Sequence, residues 1–446
     1  MGYRDLQENQ MSGGNAQATA LFCEALTSFN LYRGDPVGLL DTASAVSPDF
    51  CMAKILKAYL FALATEPDLT REARGLIESL AAMNMNERER SHVAILDCIV
   101  AGRWSDAAMA CDHHNALYPR DLVGLQVGHL VDFFRANSRS LRDRIARALP
   151  YWSPADAGYS TMLGFYSFGL EECADYVRAE DVGREALDRE PLECWAHHAV
   201  AHVMEMQGRP GEGLAWMSSR EPMWSGDDNF FKVHNWWHRA LFHIGLGQNK
   251  EALALYDGRI RRDRSTIVVD LIDASALLWR LHLVGHDVGE RWREVADSWD
   301  RHVDGGSYPF NDWHAVMAYL GAGREFDAKR IVDALRARSP TTETGAWASG
   351  VGLDLASGFV AFWRGDHLGA TKHLMRSRHI ANMFGGSHAQ RDIIDWTLTE
   401  AATRGGLSHL ACALAHERLA LNPHSPINRS FLQRTHASAD KALSAA

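Results

Sequence analysis

Apolar residues recur along this chain at helical spacing, sharing one face at i, i+3, i+4 and i+7 almost from end to end. Strand-like alternation of Val, Ile and Thr between Asn-Gly or Asp-Gly turns is missing, and proline is scarce at 13 residues. The pattern predicts an all-α fold. Glycines at 208, 247, 285, 323, 365 and 405 separate pairs of amphipathic segments, at steps of 39, 38, 38, 42 and 40 residues. A first helix is expected before each glycine, over 194–206, 229–246, 268–284, 311–320, 350–363 and 387–404. A second, Ala-bearing helix is expected after it, as in NKEALALYDGRI beyond Gly247.

A period near 40 is what stacked helical hairpins produce, because each hairpin leaves an apolar face that only a neighbour can cover. The expected architecture is a tetratricopeptide-like superhelix, an α-solenoid of about nine or ten hairpins. Upstream the same texture is less regular, around Gly102 and in the segment ending at Pro191. The expected organisation is an N-terminal tail at 1–20, N-terminal hairpins at 21–193, C-terminal repeats at 194–430 and a C-terminal tail at 431–446.

Composition narrows the function classes. Lys and Arg number 46 against 56 Asp and Glu, a net charge of −10, which lacks the basic footprint of a nucleic-acid partner. No uninterrupted apolar run approaches the ~18 residues of a membrane span. Seven cysteines without a CxxC pair argue against both a disulfide framework and a thiolate zinc knuckle. The first residues also lack an apolar signal-peptide core, so the expected location is the cytoplasm.

The 22 histidines matter by position more than by number. HHAVAHVMEM places His198, His202 and Glu205 at i, i+4 and i+7, on one helical face. VHNWWHRALF repeats the spacing with His234 and His238 in the next hairpin. Two imidazoles one turn apart can chelate a divalent ion such as zinc, which makes His198, His202 and His234 the expected ligands. The first helices of later hairpins carry Asp273, Asp312, His314 and Asp392 in the same window, and with His238 these form the candidate catalytic set. Glu205, Trp237, Arg280, Gln390 and Arg391 are the candidate ligand-binding residues. Apolar neighbours such as Trp236 and Phe242 imply burial of the histidine pairs, and the Arg280 and Arg391 guanidinium groups, which also sit among apolar residues, need carboxylate partners such as Asp273 and Asp392 or an anionic ligand. If the hairpins stack in register, all these groups line one concave surface.

HHAVAHVMEM, HNWWHRALF, DLIDASALLWRL with VGERW, NDWH and GGSHAQRD, in this order, resemble the tetratricopeptide repeat protein 38 family. The resemblance is strongest from about 194 to 400. It implies an all-helical superhelix and no particular reaction, substrate or cofactor, and the histidine, aspartate and arginine positions named above match the family's motifs. Two functions follow as expectations. The first is an interaction scaffold that binds a peptide or partner protein in its concave groove. The alternative is an enzyme or small-molecule binder with a His/Asp/Arg pocket, with or without metal, working by hydrolytic or acid-base chemistry.

Overall fold

The computed structural model describes residues 3–445, with side chains described through His436. Helices account for about three quarters of it. The one described sheet pairs Tyr3–Arg4 with Gln10–Met11, Tyr3 lying opposite Met11. The segment 1–20, expected as a tail, therefore holds a strand pair and the start of helix Ala16–Leu31. The segment 431–446 belongs to helix Pro426–Ala445, apart from the last residue, which lies outside the described residues. The chain divides into two compact units, residues up to Val200 with Pro222–Lys232, and Ala201–Glu221 with Val233 onward. The division falls inside helix Cys194–Met206 rather than ahead of it.

Among the described residues the first unit contains five helical hairpins between residues 16 and 189, and six more follow between 194 and 421, against the nine or ten expected. The turn chemistry explains the difference. Each hairpin turn needs a residue in the left-handed region, for which glycine is the default. Gly208, Gly247, Gly285, Gly323 and Gly365 fill that role as expected, but in the last hairpin it falls to Gly406 (φ 71°), Gly405 keeping φ −78°. Upstream, Thr65, Ala136 and Ala174 adopt it with φ of 58°, 41° and 60°. Those turns carry no glycine signal. The helix after Ala136 is started by a side-chain cap, Asn137 accepting from the third backbone N–H beyond it; elsewhere in this unit Asn86 with Glu89 closes a capping box and Asp121 caps helix Leu122–Phe134.

In the second unit the first helices are Lys232–Gly245, Val268–Leu283, Pro309–Gly321, Leu353–Trp363 and His388–Arg404. The last four each pack on their own second helix, as Pro309–Gly321 does on Glu325–Ala337. The first helices also pack on one another: 268–283 meets 309–321, 309–321 meets 353–363, 353–363 meets 388–404, and 388–404 returns to 268–283. This closure is made by bulky side chains. Buried Trp279 faces Phe359 at 4.8 Å and donates its indole N–H to Thr397 Oγ1 at 3.0 Å, while Trp313 meets Phe359 edge-on at 5.2 Å. Truncating such a tryptophan to alanine costs about 3–5 kcal/mol. The faces expected to wall a groove thus form a four-helix core in this unit, and polar residues on them are enclosed.

Candidate functional site

Helix Lys232–Gly245 has a wide apolar face (Val233, Trp236, Trp237, Ala240, Leu241, Ile244), which drives it into the core and carries His234 and His238 with it. Their Nε2 atoms face each other at 3.2 Å. The other nitrogen of His234, Nδ1, donates to Asp273 Oδ2 at 2.8 Å, which fixes the tautomer and leaves Nε2 with its lone pair toward His238. His202 closes the group, its ring 4.6 Å from that of His238. One nitrogen from each of His202, His234 and His238 lies within 4.8 Å of the others. Burial holds the Asp273 carboxyl above the usual range, opposed by His234 and Arg280. Its Oδ1 is buried without a hydrogen-bond partner among the described residues. A carboxylate behind one imidazole of a histidine cluster is the arrangement that orients a metal ligand, and it equally suits a proton relay. His198 stands one turn before His202 on the same helix, with its ring against Phe168 and Phe231 of the first unit.

Trp237 stacks on His234 at 5.2 Å, and the Arg280 guanidinium lies over the Trp237 ring at 5.3 Å. Arg280 is 2% exposed and donates to the carbonyls of Ala389 at 2.7 Å and Ala276 at 3.5 Å. No carboxylate lies within ion-pair distance of it among the described residues. Burial drives its pKa down to about 10 even with Asp392 and Glu205 nearby. It lines a cavity of about 100 Å³ together with Glu205, Asp392, Asp395, Arg378 and Arg418. Most of these charges are already paired: Arg418 grips Asp392 at 2.7 and 3.1 Å, and Arg378 holds Asp395 at 2.8 Å. Burial alone would raise the Asp392 carboxyl, but Arg418 overrides it and holds the group below the ordinary value. Glu205 has no such partner, and burial followed by Asp392 pushes it up to about 7. Among the described residues Arg280 and Glu205 are therefore the two charge-bearing groups lining the cavity without an ion-pair partner.

The remaining expected site residues go elsewhere. Gln390 completes a capping box with Ser387 at the start of helix 388–404, a structural task that occupies its Oε1. Arg391 turns to the carbonyls of Gly385 and Gly386. Asp312 accepts from the Gly305 N–H at 3.0 Å, and burial, reinforced by Asp304, pushes it up to about 7. His314 donates Nδ1–H to the Phe310 carbonyl at 2.8 Å, and burial lowers its pKa to about 3, aided by the charge of Arg280. The expected convergence of all these groups is therefore partial. Matched helical phase fixes the layer a residue occupies, whereas caps and loop carbonyls decide where its polar end points.

Sequence reasoning missed two groups. Arg418 sits on second helix Ser408–Leu421 and Arg378 opens the short 3-10 turn Arg378–Phe384, both outside the first helices that carry the expected site residues. The second omission is in the first unit, where Asp121 Oδ2 accepts from Arg88 Nη1 at 2.5 Å, His92 Nε2 at 2.9 Å and His114 Nε2 at 3.2 Å. Its Oδ1 caps the next helix through the Gly124 N–H at 3.1 Å.

No family model matches the chain. Among solved structures, it is similar to the Cut9–Hcn1 hetero-tetramer of the APC/C at 13% identity, covering 94% of this chain and 76% of that one, with a TM-score of 0.44. It is similar to the TPR domain of P58(IPK) at 11% identity, covering 80% and 99%, with a TM-score of 0.23. It is also similar to Naa15/Naa10 bound to HypK-THB, at 11% identity over 96% and 68%, with a TM-score of 0.26. These likenesses are too distant to assign a family, partner or activity. Among the described residues no helix is long and apolar enough to cross a membrane.

Proposed function

We propose that the second unit is a small-molecule site with hydrolytic or acid-base chemistry, centred on His202, His234 and His238 and anchored by Arg280. The observation that carries this reading is the pair of imidazole nitrogens 3.2 Å apart with Asp273 fixed behind one of them. Structural histidines seldom need such an arrangement inside a hydrophobic core, where each unpaired polar atom costs about 1–3 kcal/mol. Arg280 supplies an uncompensated cation for an anionic group of the ligand, and Glu205 supplies a group that can hold or accept a proton near neutral pH. A divalent ion, when bound, would polarise the ligand or activate a water. His202, His234 and His238 would hold it. His202, His234, His238 and Arg280 are among the positions that match the motifs of the tetratricopeptide repeat protein 38 family, a resemblance that itself implies no reaction.

The test is metal analysis of protein purified without chelators, alongside thermal-shift screening with small carboxylates and phosphates, on wild type, His238→Ala and Arg280→Met. Binding lost in both variants with helicity intact supports the site. Unchanged metal content and ligand response in both would remove it. A second reading, a scaffold for a partner protein, is favoured by the hairpin-repeat architecture together with the exposure of Phe326 and Leu421, each 80% exposed on a second helix. Peptide binding lost in Phe326→Glu but kept in His238→Ala would select it.

A further inference from the structure

The last two helices carry a group of side chains that the site above does not use. Helix Ser408–Leu421 places Cys412 and His416 one turn apart, and helix Pro426–Ala445 packs against it and brings His436 to the same spot. Cys412 Sγ lies 3.6 Å from His436 Nε2, and the rings of His416 and His436 are 6.2 Å apart. One donor atom from each of the three residues falls within 4.8 Å of the others. Cys412 is half-buried and the two histidines are exposed, so an ion from solvent can reach them.

We propose that Cys412, His416 and His436 form a zinc site that ties the last two helices together. Zinc takes thiolate sulfur at ~2.3 Å and imidazole nitrogen at ~2.0–2.1 Å in a tetrahedron. Those lengths at a tetrahedral angle place neighbouring S and N donors about 3.5 Å apart, close to the separation seen between Cys412 and His436. One sulfur and two nitrogens are a borderline-soft set, which selects zinc over magnesium or calcium. On binding, the Cys412 thiol gives its proton to solvent and the thiolate takes the metal, with water in the fourth position. The competing reading is a plain thiol–imidazole hydrogen bond, which uses Cys412 and His436 and leaves His416 without a part. This site is independent of the histidine centre and contains the only thiolate of the two, which makes them spectroscopically separable.

Cobalt(II) titration of the full chain reads the site directly. The expected result is a near-ultraviolet thiolate-to-cobalt absorption that saturates at one equivalent and is displaced by zinc. It should be abolished in Cys412→Ser, weakened at least tenfold in apparent affinity in His436→Ala, and unchanged in His238→Ala. Far-ultraviolet circular dichroism should match wild type in both surface variants. Zinc should also protect Cys412 from iodoacetamide, read at its own peptide by mass spectrometry. Absence of the thiolate band, its survival in Cys412→Ser, or alkylation of Cys412 indifferent to zinc would each overturn the proposal.

Discussion

Each unit holds a buried carboxylate surrounded by histidines, and the two are finished differently. In the first unit Asp121 uses both oxygens and accepts from four donors. The outer nitrogens of its histidines are occupied too, His114 Nδ1 by Ser91 Oγ at 3.0 Å and His92 Nδ1 by the Tyr59 hydroxyl at 3.1 Å. Asp273 in the second unit takes one imidazole on Oδ2 and leaves Oδ1 buried with no partner. Arg88 reaches Asp121 directly, whereas Arg280 reaches only carbonyls and aromatic faces. A polar network with every member satisfied rigidifies a fold, and one with spare donors and acceptors keeps capacity for something else. The same residue types therefore read as a structural knot in one unit and as a candidate site in the other.

Removing the central carboxylate of the knot should have the largest effect. Asp121→Ala leaves the Arg88 cation buried without its partner and uncaps helix Leu122–Phe134, so a loss of about 3–5 kcal/mol is expected by urea unfolding. A loss below about 1 kcal/mol would mean that the network is not what holds these helices, and the contrast between the units would collapse.

The contrast was only half legible in the sequence. His234 and His238 announced themselves because HxxxH repeats across two hairpins whose period the glycines reveal. His92 and His114 flank Gly102 in one hairpin and Asp121 starts the next, whose turn at Ala136 carries no glycine, and no periodicity aligns the three. The all-helical class was plain from spacing, since an apolar face at 3.6 residues depends on the local chain alone. The closure of helix 268–283 onto 388–404 was not, because Trp279 and Thr397 are 118 residues apart. Gln390 and Arg391 were misdirected for a related reason: their phase matched the site, but a capping box and the Gly385–Gly386 carbonyls claimed them first.

The knot should also make the first unit sensitive to acid. His92 faces Asp121, His114, Arg88 and Tyr59, and burial takes its pKa down to about 4 in spite of Asp121. In the unfolded chain it titrates near ~6.5. Between those values the unfolded chain takes up a proton that the folded chain refuses, so stability is full above about pH 6.5 and falls as pH drops toward 4. The slope is about 1.4 kcal/mol per pH unit, or roughly 3 kcal/mol over the window. Glu193, raised to about 8 by burial, slopes the opposite way, losing stability as pH rises from the ordinary carboxyl range. Comparing wild type with His92→Gln cancels that contribution: the difference in unfolding free energy between the two should shrink as pH falls from 7 to 5.

In the second unit the equivalent probe acts on ligand binding more than on folding. Asp273→Asn keeps the size of the side chain but weakens its hold on His234, and loss of such an orienting carboxylate usually costs ten- to a hundredfold in metal affinity. Isothermal titration with zinc, in a Cys412→Ser background to silence the C-terminal helices, measures it. An affinity unchanged by Asp273→Asn would show that His234 needs no orientation and would weaken the case for a metal at this centre.

The smallest stability effect is expected at Arg280, and it is the sharpest way to separate the units. A buried cation held by a carboxylate is costly to delete, because the partner is stranded; one held only by carbonyls has already paid its desolvation without that return. Arg88→Met should therefore cost several kcal/mol, since Asp121 would keep its carboxylate with only two imidazoles and a backbone N–H to face. Arg280→Met fills a similar volume between Trp237 and Trp396 and should change stability by no more than about 1 kcal/mol, in either direction. Paired urea curves for the two variants give the comparison. If Arg280→Met proves as damaging as Arg88→Met, then Asp392 and Glu205 compensate Arg280 strongly across the cavity, and the cation is part of the scaffold rather than an anchor for an anionic ligand.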